Sequence, residues 1–422
     1  MTSQVVLYNK LGVAIASDSA VTSGRGKVLN GSEKIFDLQA PHKIGILTSG
    51  LSTFMEYPWE VVLSAWSETL DKSLSNVSDY SESLSKFLRT VASPGKNLSE
   101  QEKNYIGAQV DEVREQFHKL YRHFMDPHFK SCLSEDLFKQ FDTGTWTEEF
   151  RAEMNAHLNE DLCQTVKFAI EREIEERREY PQALNISESQ ALVWVEQFWK
   201  HVESSFDEHA CANSWPFVPD AEELVNHWIA TNLLHPDIDA ASEICIVGYG
   251  DEDLFASLSW FRIFGTISGT LIKTGETFWE PNPYAQRFFL GQDDAIRTLF
   301  TGDDYLLTSI AEDAQRKVIG SMYEQLKEIN EESAMFVKEY ESIATNSLGE
   351  EIRKVGNEHR SQPFYRALSM APISDLAEFA SQLVGIQAAY ASMNQDNPTV
   401  GGFIDVAVIT HRGGFEWIRH KK

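Results

Sequence analysis

Residues 12–19 read GVAIASDS, a run of small and β-branched residues that contains a carboxylate near its end. Such a run predicts a short strand that Asp18 closes. Residues 402–410, GFIDVAVIT, predict another strand near the other end of the sequence. Because strand patterns lie at both ends and helical patterns lie between them, we predict a layered α/β fold, formally α+β, with both ends of the chain in sheets.

The other strand and helix signals divide the sequence into three parts. The first part has strand patterns at residues 5–8, 13–17, 32–38 and 43–48, and a helix is expected to begin at residues 49–51. From about residue 56 to 240, apolar residues recur at helical spacing, most clearly at 111–122, 150–170 and 187–206. The third part predicts strands at 242–249, 257–264, 270–272, 287–291, 403–410 and 415–418, and helices at 293–299, 309–342 and 373–392.

The composition limits the classes of partner. The chain has 422 residues with 64 acidic and 37 basic side chains, and its formal net charge is −27. Nucleic acids and anionic membranes bind basic surfaces, so the charge argues against both. The four cysteines form no CxxC pair, the first residues lack a signal-peptide pattern, and no run of about 18 apolar residues occurs. We therefore expect a cytoplasmic protein with reduced thiols.

Three polar residues stand out in the first part of the sequence. Thr2, Asp18 and Lys34 follow one another at equal spacings of sixteen positions, with Asp18 closing one predicted strand and Lys34 opening the next. Burying a lone carboxylate or ammonium is costly, and the cost falls when the two groups pair. On spacing alone, Asp18 and Lys34 are either a structural ion pair or two solvated loop residues. A catalytic role needs the third member.

Thr2 supplies that third member. Threonine is small, so removal of Met1 is expected, and we expect no propeptide ahead of Thr2. Removal would leave Thr2 with a free α-amine whose reference pKa is about 8 and which can take the hydroxyl proton, activating Oγ as a nucleophile. A nearby lysine cation lowers the pKa of the amine and of the hydroxyl, and a carboxylate holds that lysine charged.

These residues and their surroundings resemble proteasome-type β subunits, which are N-terminal-nucleophile (Ntn) hydrolases and include the bacterial relatives HslV and Anbu. Thr2, Asp18 and Lys34 match the family's catalytic threonine, aspartate and lysine in type and spacing. GVAIASDS resembles the family's strand into the aspartate, EKI its sequence around the lysine, and GFIDVAVIT its late core strand. The resemblance covers roughly residues 2–55 and 242–418.

The resemblance also implies residues that support the nucleophile. TSG at residues 48–50 stands where the family places the glycine of its oxyanion hole, which indicates Gly50 with Ser49 beside it. GQD at residues 291–293 replaces the family's Gly-Ser-Gly, so Gln292 stands where the family has a serine. The later Asp-x-x-Ser-Gly-Gly pattern corresponds to DNPTVGG, which puts Asp396 and Thr399 in support positions with one extra residue, Val400.

By this resemblance we predict a four-layer αββα sandwich of residues 1–55 and 242–422, with residues 56–241 as an all-α insertion. The implied activity is that of a threonine-type endopeptidase or amidohydrolase that works through an acyl-enzyme. The family further implies a peptide or unfolded-protein substrate, assembly of identical subunits into a ring or an open helical stack, and an ATPase as partner.

Two alternatives stay open at this point. Retention of Met1, together with the altered positions Gln292 and Val400, favours an inactive Ntn-fold assembly or binding protein. A small-molecule Ntn amidase, with the insertion closing a pocket, is the other alternative.

No cofactor motif occurs in the sequence, and we expect neither a cofactor nor a metal. His118, His123 and His128 are the best candidates for metal ligands. Their five-residue spacing places them about 140° apart around a helix, which fits solvated or packed histidines better than ligands of one ion.

Overall fold

The computed structural model of the protein describes residues 2–22, 28–30, 33–91, 98–132, 160–205, 221–302, 305–394 and 399–421. These residues form a mixed α/β structure with antiparallel sheets, as the sequence predicts. The strands, in chain order, are β1 (Ser3–Asn9), β2 (Gly12–Asp18), β3 (Ala20–Thr22), β4 (Val28–Asn30), β5 (Ile35–Asp37), β6 (Lys43–Gly50), β7 (Thr53–Phe54), β8 (Tyr57–Pro58), β9 (Ser242–Tyr249), β10 (Ser257–Ile267), β11 (Thr270–Trp279), β12 (Gln286–Gly291), β13 (Ile404–Thr410) and β14 (Gly414–Arg419).

The helices of the described residues lie in two groups, one between β8 and β9 and the other between β12 and β13. They are α1 (Trp59–Ser67), α2 (Val77–Val91), α3 (Glu100–Cys132), α4 (Glu160–Arg177), α5 (Glu188–Ser205), α6 (Ala221–Leu234), α7 (Asp294–Thr301), α8 (Tyr305–Lys327), α9 (Glu331–Gly356), α10 (Gln362–Met370) and α11 (Ile373–Asn394). None of these helices combines the length and the apolar character that a membrane-spanning segment needs.

Two five-stranded sheets form the centre of the molecule. The first sheet has the strand order β12-β1-β2-β13-β14, and the second has the order β11-β10-β9-β6-β5. All neighbouring strands in both sheets are antiparallel. In the first sheet, β1 and β2 lie between β12 and β13, so segments from both ends of the chain pair directly, as the terminal strand patterns predict.

The two sheets pack face to face through an apolar layer. Val6 and Ile15 enter this layer from the first sheet, and Leu47, Cys245 and Val247 enter it from the second. All five side chains are fully buried. Because side chains alternate along a strand, the residues between them point to the opposite face of each sheet, which needs a cover of its own.

Helices cover the outer face of each sheet. On the first sheet, Val5 packs in one cluster with Leu376 and other residues of α11. On the second sheet, Ile246 packs in one cluster with Trp66 of α1 and Tyr80 of α2. Helices α3 to α6 form a further apolar cluster that also includes residues from the β10–β11 hairpin. Burial of this apolar surface is the main source of stability for such a fold.

The structure corrects the helix predicted to begin at residues 49–51. Strand β6 continues through Gly50, and the short β7–β8 hairpin follows before α1 begins at Trp59. At the tip of that hairpin Met55 and Glu56 have φ angles of 49° and 70°. Positive φ is incompatible with a right-handed helix. The helix therefore begins only after this hairpin, at Trp59 instead of residues 49–51.

The structure also corrects the helix predicted over residues 309–342, because two helices, α8 and α9, occupy this region. Asn330 lies between them with an extended backbone, and its side-chain oxygen accepts hydrogen bonds from the backbone N–H groups of Glu332 and Ser333. This N-cap starts α9 and ends the continuity that the apolar pattern suggested. Part of the 150–170 pattern lies outside the described residues, while Val166 and Ile170 of α4 are fully buried.

Candidate active site

Thr2 immediately precedes β1, at one end of the space between the sheets. It is buried, and its carbonyl oxygen accepts a hydrogen bond of 2.7 Å from the Gln292 N–H. Ser3 pairs with Gly291 in the register of β1 and β12. Val6 and Tyr8 point into the inter-sheet layer. Even-numbered residues of β1 therefore face the second sheet, and continuing this alternation places Thr2 on the same face.

Asp18 anchors the beginning of the chain. Its side chain is fully buried, and Oδ1 accepts hydrogen bonds from the Ser3 N–H at 2.9 Å and from Lys34 Nζ at 2.8 Å. Oδ2 accepts from the N–H groups of Gly401 at 3.0 Å and of Ala20 at 3.3 Å. A buried carboxylate needs this degree of compensation, because removing it from water is otherwise costly.

Lys34 lies just before β5 and directs its ammonium toward Asp18. Its Nζ donates to Asp18 Oδ1 at 2.8 Å and to the Ala20 carbonyl at 2.6 Å. The side chain is buried, and burial lowers the pKa of Lys34 from its ordinary value, while the charge and hydrogen bond of Asp18 oppose that shift. Lys34 and the Thr2–Ser3 peptide are therefore joined through a single carboxylate oxygen.

Gln4 braces this arrangement, although the sequence analysis did not single it out. Its Nε2 lies 3.1 Å from Ser17 Oγ, 3.2 Å from the Lys34 carbonyl and 3.0 Å from the Thr48 carbonyl. The Thr48 N–H also donates to the Lys34 carbonyl at 3.0 Å. Gln4 thus ties β1 to both segments that carry site residues. A polar side chain at an inward position of an otherwise apolar strand was the available signal.

Gly50 and Ser49 lie at the end of β6. Gly50 has a φ of +80°, and a Cβ there would lie 2.1 Å from the Ala241 carbonyl oxygen, so the position requires glycine. Ser49 is buried, and its Oγ lies 3.1 Å from the point that a Cβ on Gly291 would occupy. Since Gly291 pairs with Ser3, the structure brings Ser49 next to the strand end that carries Thr2.

Gln292 and Thr399 lie together on the other side of Thr2. Gln292 holds the Thr2 carbonyl through its backbone N–H, and its side-chain Oε1 accepts a hydrogen bond of 3.2 Å from Thr399 Oγ1. The extra residue Val400 is buried and is followed by Gly401, whose N–H donates to Asp18. Asp396 lies outside the described residues.

Glu243 and Arg262 were missed by the sequence analysis. Glu243 Oε2 accepts a hydrogen bond of 3.4 Å from the Gly291 N–H, and its Oε1 lies 3.0 Å from Arg262 Nε. Neither residue has a local sequence signal, because their position beside Thr2 depends on the register between strands far apart in sequence. Among the described residues, no cluster of three or more histidine, cysteine or acidic side chains could hold a metal ion.

The arrangement defines a class of site: a buried lysine–aspartate pair that contacts the backbone beside a threonine at the start of an antiparallel strand. Chemically it combines a hydroxyl with a fixed cation. No protein-family model matches the sequence, and no curated protein matches it either.

Solved structures similar to this chain include three structures of Anbu. Two are from Hyphomicrobium sp. strain MC1, one of them a Gly-1 mutant, and the third is an ancestral β-subunit from Yersinia bercovieri. The mutant matches at 10% identity and a TM-score of 0.28, covering 100% of this chain and 86% of that chain. The Yersinia protein matches at 10% and 0.27, covering 100% and 88%, and the other Hyphomicrobium structure at 9% and 0.29, covering 99% and 86%. Likeness at this level supports no residue assignment.

Proposed function

We propose that the protein is a threonine-type Ntn amidohydrolase that cleaves peptide bonds. One observation carries the proposal: Asp18 Oδ1 accepts hydrogen bonds from both Lys34 Nζ and the Ser3 N–H. This shared oxygen fixes a buried cation beside the Thr2–Ser3 peptide. A cation in that place favours the deprotonated forms of the Thr2 amine and hydroxyl, which are the forms that nucleophilic catalysis needs.

The proposed reaction begins once Met1 is removed and the Thr2 amine is free. The amine accepts the proton of the Thr2 hydroxyl as Oγ attacks the substrate carbonyl carbon. The tetrahedral intermediate collapses, the C–N bond breaks, and the leaving amine takes the proton. The Thr2 α-amine, now free of that proton, then deprotonates a water molecule, which attacks the ester between Oγ and the acyl group. This second step releases the acid and restores Thr2.

Backbone N–H groups around Gly50 are the proposed oxyanion hole. Gly50 ends β6 with positive φ, and the Leu51 N–H that follows it donates to the Ala241 carbonyl at 3.1 Å. A fixed backbone donor avoids reorganisation during the reaction, and one such donor contributes about 3 kcal/mol to stabilising the transition state. The residues proposed to position Thr2 and the beginning of β1 are Ser49, Gln292 and Thr399, with Asp396 as a further support residue.

The larger organisation is proposed on the same basis. Two packed antiparallel sheets with helices on both outer faces fit the four-layer αββα sandwich of Ntn hydrolases. Residues 1–55 and 242–422 would form that core, and residues 56–241 would form a helical insertion. Self-assembly into a ring or helical stack, an ATPase partner and a cytoplasmic location complete the proposal.

Covalent capture by a peptide epoxyketone tests the catalytic proposal, because this inhibitor forms a ring with both the hydroxyl and the free amine of a terminal threonine. We expect one adduct per chain, located at Thr2, on protein whose intact mass shows loss of Met1. Thr2→Ala keeps the small residue that permits Met1 removal but lacks the hydroxyl, so it should form no adduct. Thr165→Ala, on an exposed face of α4, is the matched control and should react normally.

Retention of Met1 in the purified protein, or a processed chain that fails to react, would contradict the proposal and favour a non-catalytic assembly protein. Hydrolysis of a peptide library by the native chain, compared with Thr2→Ala, separates peptidase from small-molecule amidase activity. We expect new peptide termini in the native digest that are missing from the Thr2→Ala digest.

A further inference from the structure

A row of polar side chains crosses the second sheet at the end where Thr2 lies. Ser49 of β6 is opposite Glu243 of β9, Glu243 is opposite Arg262 of β10, and Arg262 is opposite Thr274 of β11. Residues directly opposite one another on neighbouring strands share one face of a sheet. The four side chains therefore form a continuous row on one face, and we call them the polar row.

The polar row faces the first sheet. Cys245 and Val247 follow Glu243 at two-residue steps and lie in the apolar layer between the sheets, and Leu258 and Trp260 precede Arg262 in the same way. Alternation of side chains puts all of these residues on the inner face. The space between the sheets is thus apolar in its middle and polar at the end where Thr2 and the polar row meet.

The guanidinium of Arg262 contacts Glu243 and Trp260. Glu243 accepts from its Nε at 3.0 Å, and the guanidinium carbon lies 4.9 Å from the centre of the Trp260 ring. Among the described residues, none accepts a hydrogen bond from either Nη, and 27% of the side chain remains exposed. An arginine fixed by a carboxylate and an aromatic ring keeps its two outer donors in a plane that fits a carboxylate.

Glu243 connects Arg262 to the proposed nucleophile. While its Oε1 holds Arg262, its Oε2 accepts from the Gly291 N–H at 3.4 Å. Gly291 in turn pairs with Ser3 and precedes Gln292, which holds the Thr2 carbonyl. Neighbouring strands are about 4.8 Å apart, and an extended peptide rises about 3.3 Å per residue. Arg262 therefore reaches a substrate group within about three residues of the bond attacked by Thr2.

We propose that Arg262, oriented by Glu243 and Trp260, binds a carboxylate of the substrate, so that the protein cleaves peptides with an acidic group near the cleaved bond. This specificity rests on the proposed function of Thr2 and adds a substrate class to it. The carboxylate comes from either an Asp or Glu side chain or a peptide C-terminus, and the two sources offer Arg262 the same planar pair of oxygen atoms.

Two sets of matched peptides test the specificity. Once the peptide library identifies cleavage sites, peptides are made with Glu, Gln or Lys at each of three positions on either side of the cleaved bond, and with a free or amidated C-terminus. We expect kcat/KM to be about tenfold higher for Glu than for Gln at one of these positions, because a charged pair is stronger than a neutral hydrogen bond. A preference confined to the free C-terminus would assign the carboxylate to that source.

Variants of the pair link this preference to Arg262. In Arg262→Gln the ratio of kcat/KM for the Glu and Gln peptides should fall to about one, and in Glu243→Gln it should fall part of the way. Arg172→Gln removes an exposed arginine that pairs with Glu176 on α4 and should leave the ratio unchanged. A ratio of one in the native protein, or a tenfold ratio that survives Arg262→Gln, would overturn the inference.

Binding to Thr2→Ala separates failure of this inference from failure of the catalytic proposal. Fluorescence anisotropy should show the labelled Glu peptide binding about tenfold more tightly than its Gln counterpart, and the difference should vanish when Arg262→Gln is added. Epoxyketone capture without a charge preference would leave the threonine mechanism standing and reject carboxylate recognition. A charge preference in binding without capture would reject catalysis and retain the Arg262 site.

Discussion

Two ion pairs lie near the end of β1 that follows Thr2, and they differ in how much of their side chains is exposed to solvent. In the pair of Lys34 with Asp18, the side chains are 6% and 0% exposed. In the pair of Arg262 with Glu243, they are 27% and 16% exposed. Asp18 accepts from three backbone N–H groups as well as from Lys34, whereas both Nη groups of Arg262 lack an acceptor among the described residues.

This difference assigns different chemistry to the two pairs. The enclosed pair has its charges compensated inside the protein, so it can act on neighbouring proton equilibria but cannot take hold of a substrate. In the half-open pair one edge of Arg262 binds Glu243, and the other edge has no acceptor among the described residues and is the one proposed to bind the substrate carboxylate. A cation that tunes a nucleophile and a cation that selects a substrate thus need opposite degrees of exposure.

Removing the lysine of the enclosed pair should have the largest effect. Lys34→Ala is expected to slow epoxyketone capture at Thr2 by about a thousandfold, since the amine and hydroxyl lose the charge that tunes them. It should also lower the free energy of unfolding by about 3–5 kcal/mol, because Asp18 remains as a buried charge without its counter-ion. Capture kinetics by mass spectrometry and urea unfolding measure the two effects.

A double variant separates tuning from stability. Lys34→Met combined with Asp18→Asn removes both charges, and the side-chain oxygen of the introduced asparagine can still accept the Ser3 N–H. The NH2 group of that asparagine cannot accept from the Gly401 and Ala20 N–H groups that Asp18 Oδ2 holds, so we expect only part of the lost stability to return, while capture at Thr2 stays slow. A single variant Lys34→Ala with the native capture rate would show that Lys34 is a structural residue only.

Gly291 is linked to both ion pairs: its N–H donates to Glu243, and it pairs with Ser3, whose N–H donates to Asp18. Substitution of Gly291 should have the next largest effect. Gly291 and Gly269 share a φ of +72°, but a Cβ at Gly291 would lie 2.0 Å from the Thr2 carbonyl oxygen, whereas one at Gly269 would meet nothing within 4 Å. Gly269→Ala should cost about 1–2 kcal/mol for the left-handed backbone alone. Gly291→Ala should cost at least about 2 kcal/mol more and also slow capture at Thr2, because the Thr2 backbone must move. Equal losses for the two alanine variants would mean that the strand end accommodates the methyl group.

The contrast between the pairs also shows what the sequence could predict. Local patterns identified most strands, including β9 with its bounds, because each strand carries its own alternation or apolar run. They placed the helix after β6 too early and merged α8 with α9, since single residues such as Asn330 decide those boundaries. Spacing alone left the relation of Asp18 to Lys34 open between an ion pair and two solvated residues.

The half-open pair could not be found from sequence. Glu243 and Arg262 meet through the register of β9 with β10, and they meet Gly291 only because the two sheets pack together. Neither contact leaves a mark on the residues next to them in the chain. The support positions Gln292 and Thr399 came from resemblance, and their mutual hydrogen bond depends on the same long-range packing.

Double-mutant cycles should give a smaller but more direct measure of the contrast. For Asp18→Asn with Lys34→Met we expect a coupling energy of about 3 kcal/mol in the free energy of unfolding, and for Glu243→Gln with Arg262→Gln about 1 kcal/mol or less. Because salt screens exposed charges more than buried ones, salt at about 1 M should reduce only the second coupling appreciably. Two couplings of equal size and equal salt dependence would contradict the distinction between an enclosed and a half-open pair.

The smallest expected effect concerns the pH dependence of the enclosed pair. Burial holds the pKa of Lys34 below its ordinary value of 10.5 in the folded protein. Between the folded pKa and 10.5 the unfolded chain binds a proton at this lysine that the folded protein has lost, so the contribution of Lys34 to stability rises with pH in that window. Below the folded pKa this gain is absent.

Reactivity at Thr2 should change in the opposite direction over the same alkaline window. Loss of the Lys34 proton removes the charge that tunes the amine and the hydroxyl, so capture by the epoxyketone should decline while the unfolding free energy, taken relative to the Lys34→Met variant, increases. Arg262→Gln leaves this titration in place, because its guanidinium belongs to the other pair. A decline in capture that persists in Lys34→Met, or that comes without the matching gain in stability, would assign the titration to a group other than Lys34.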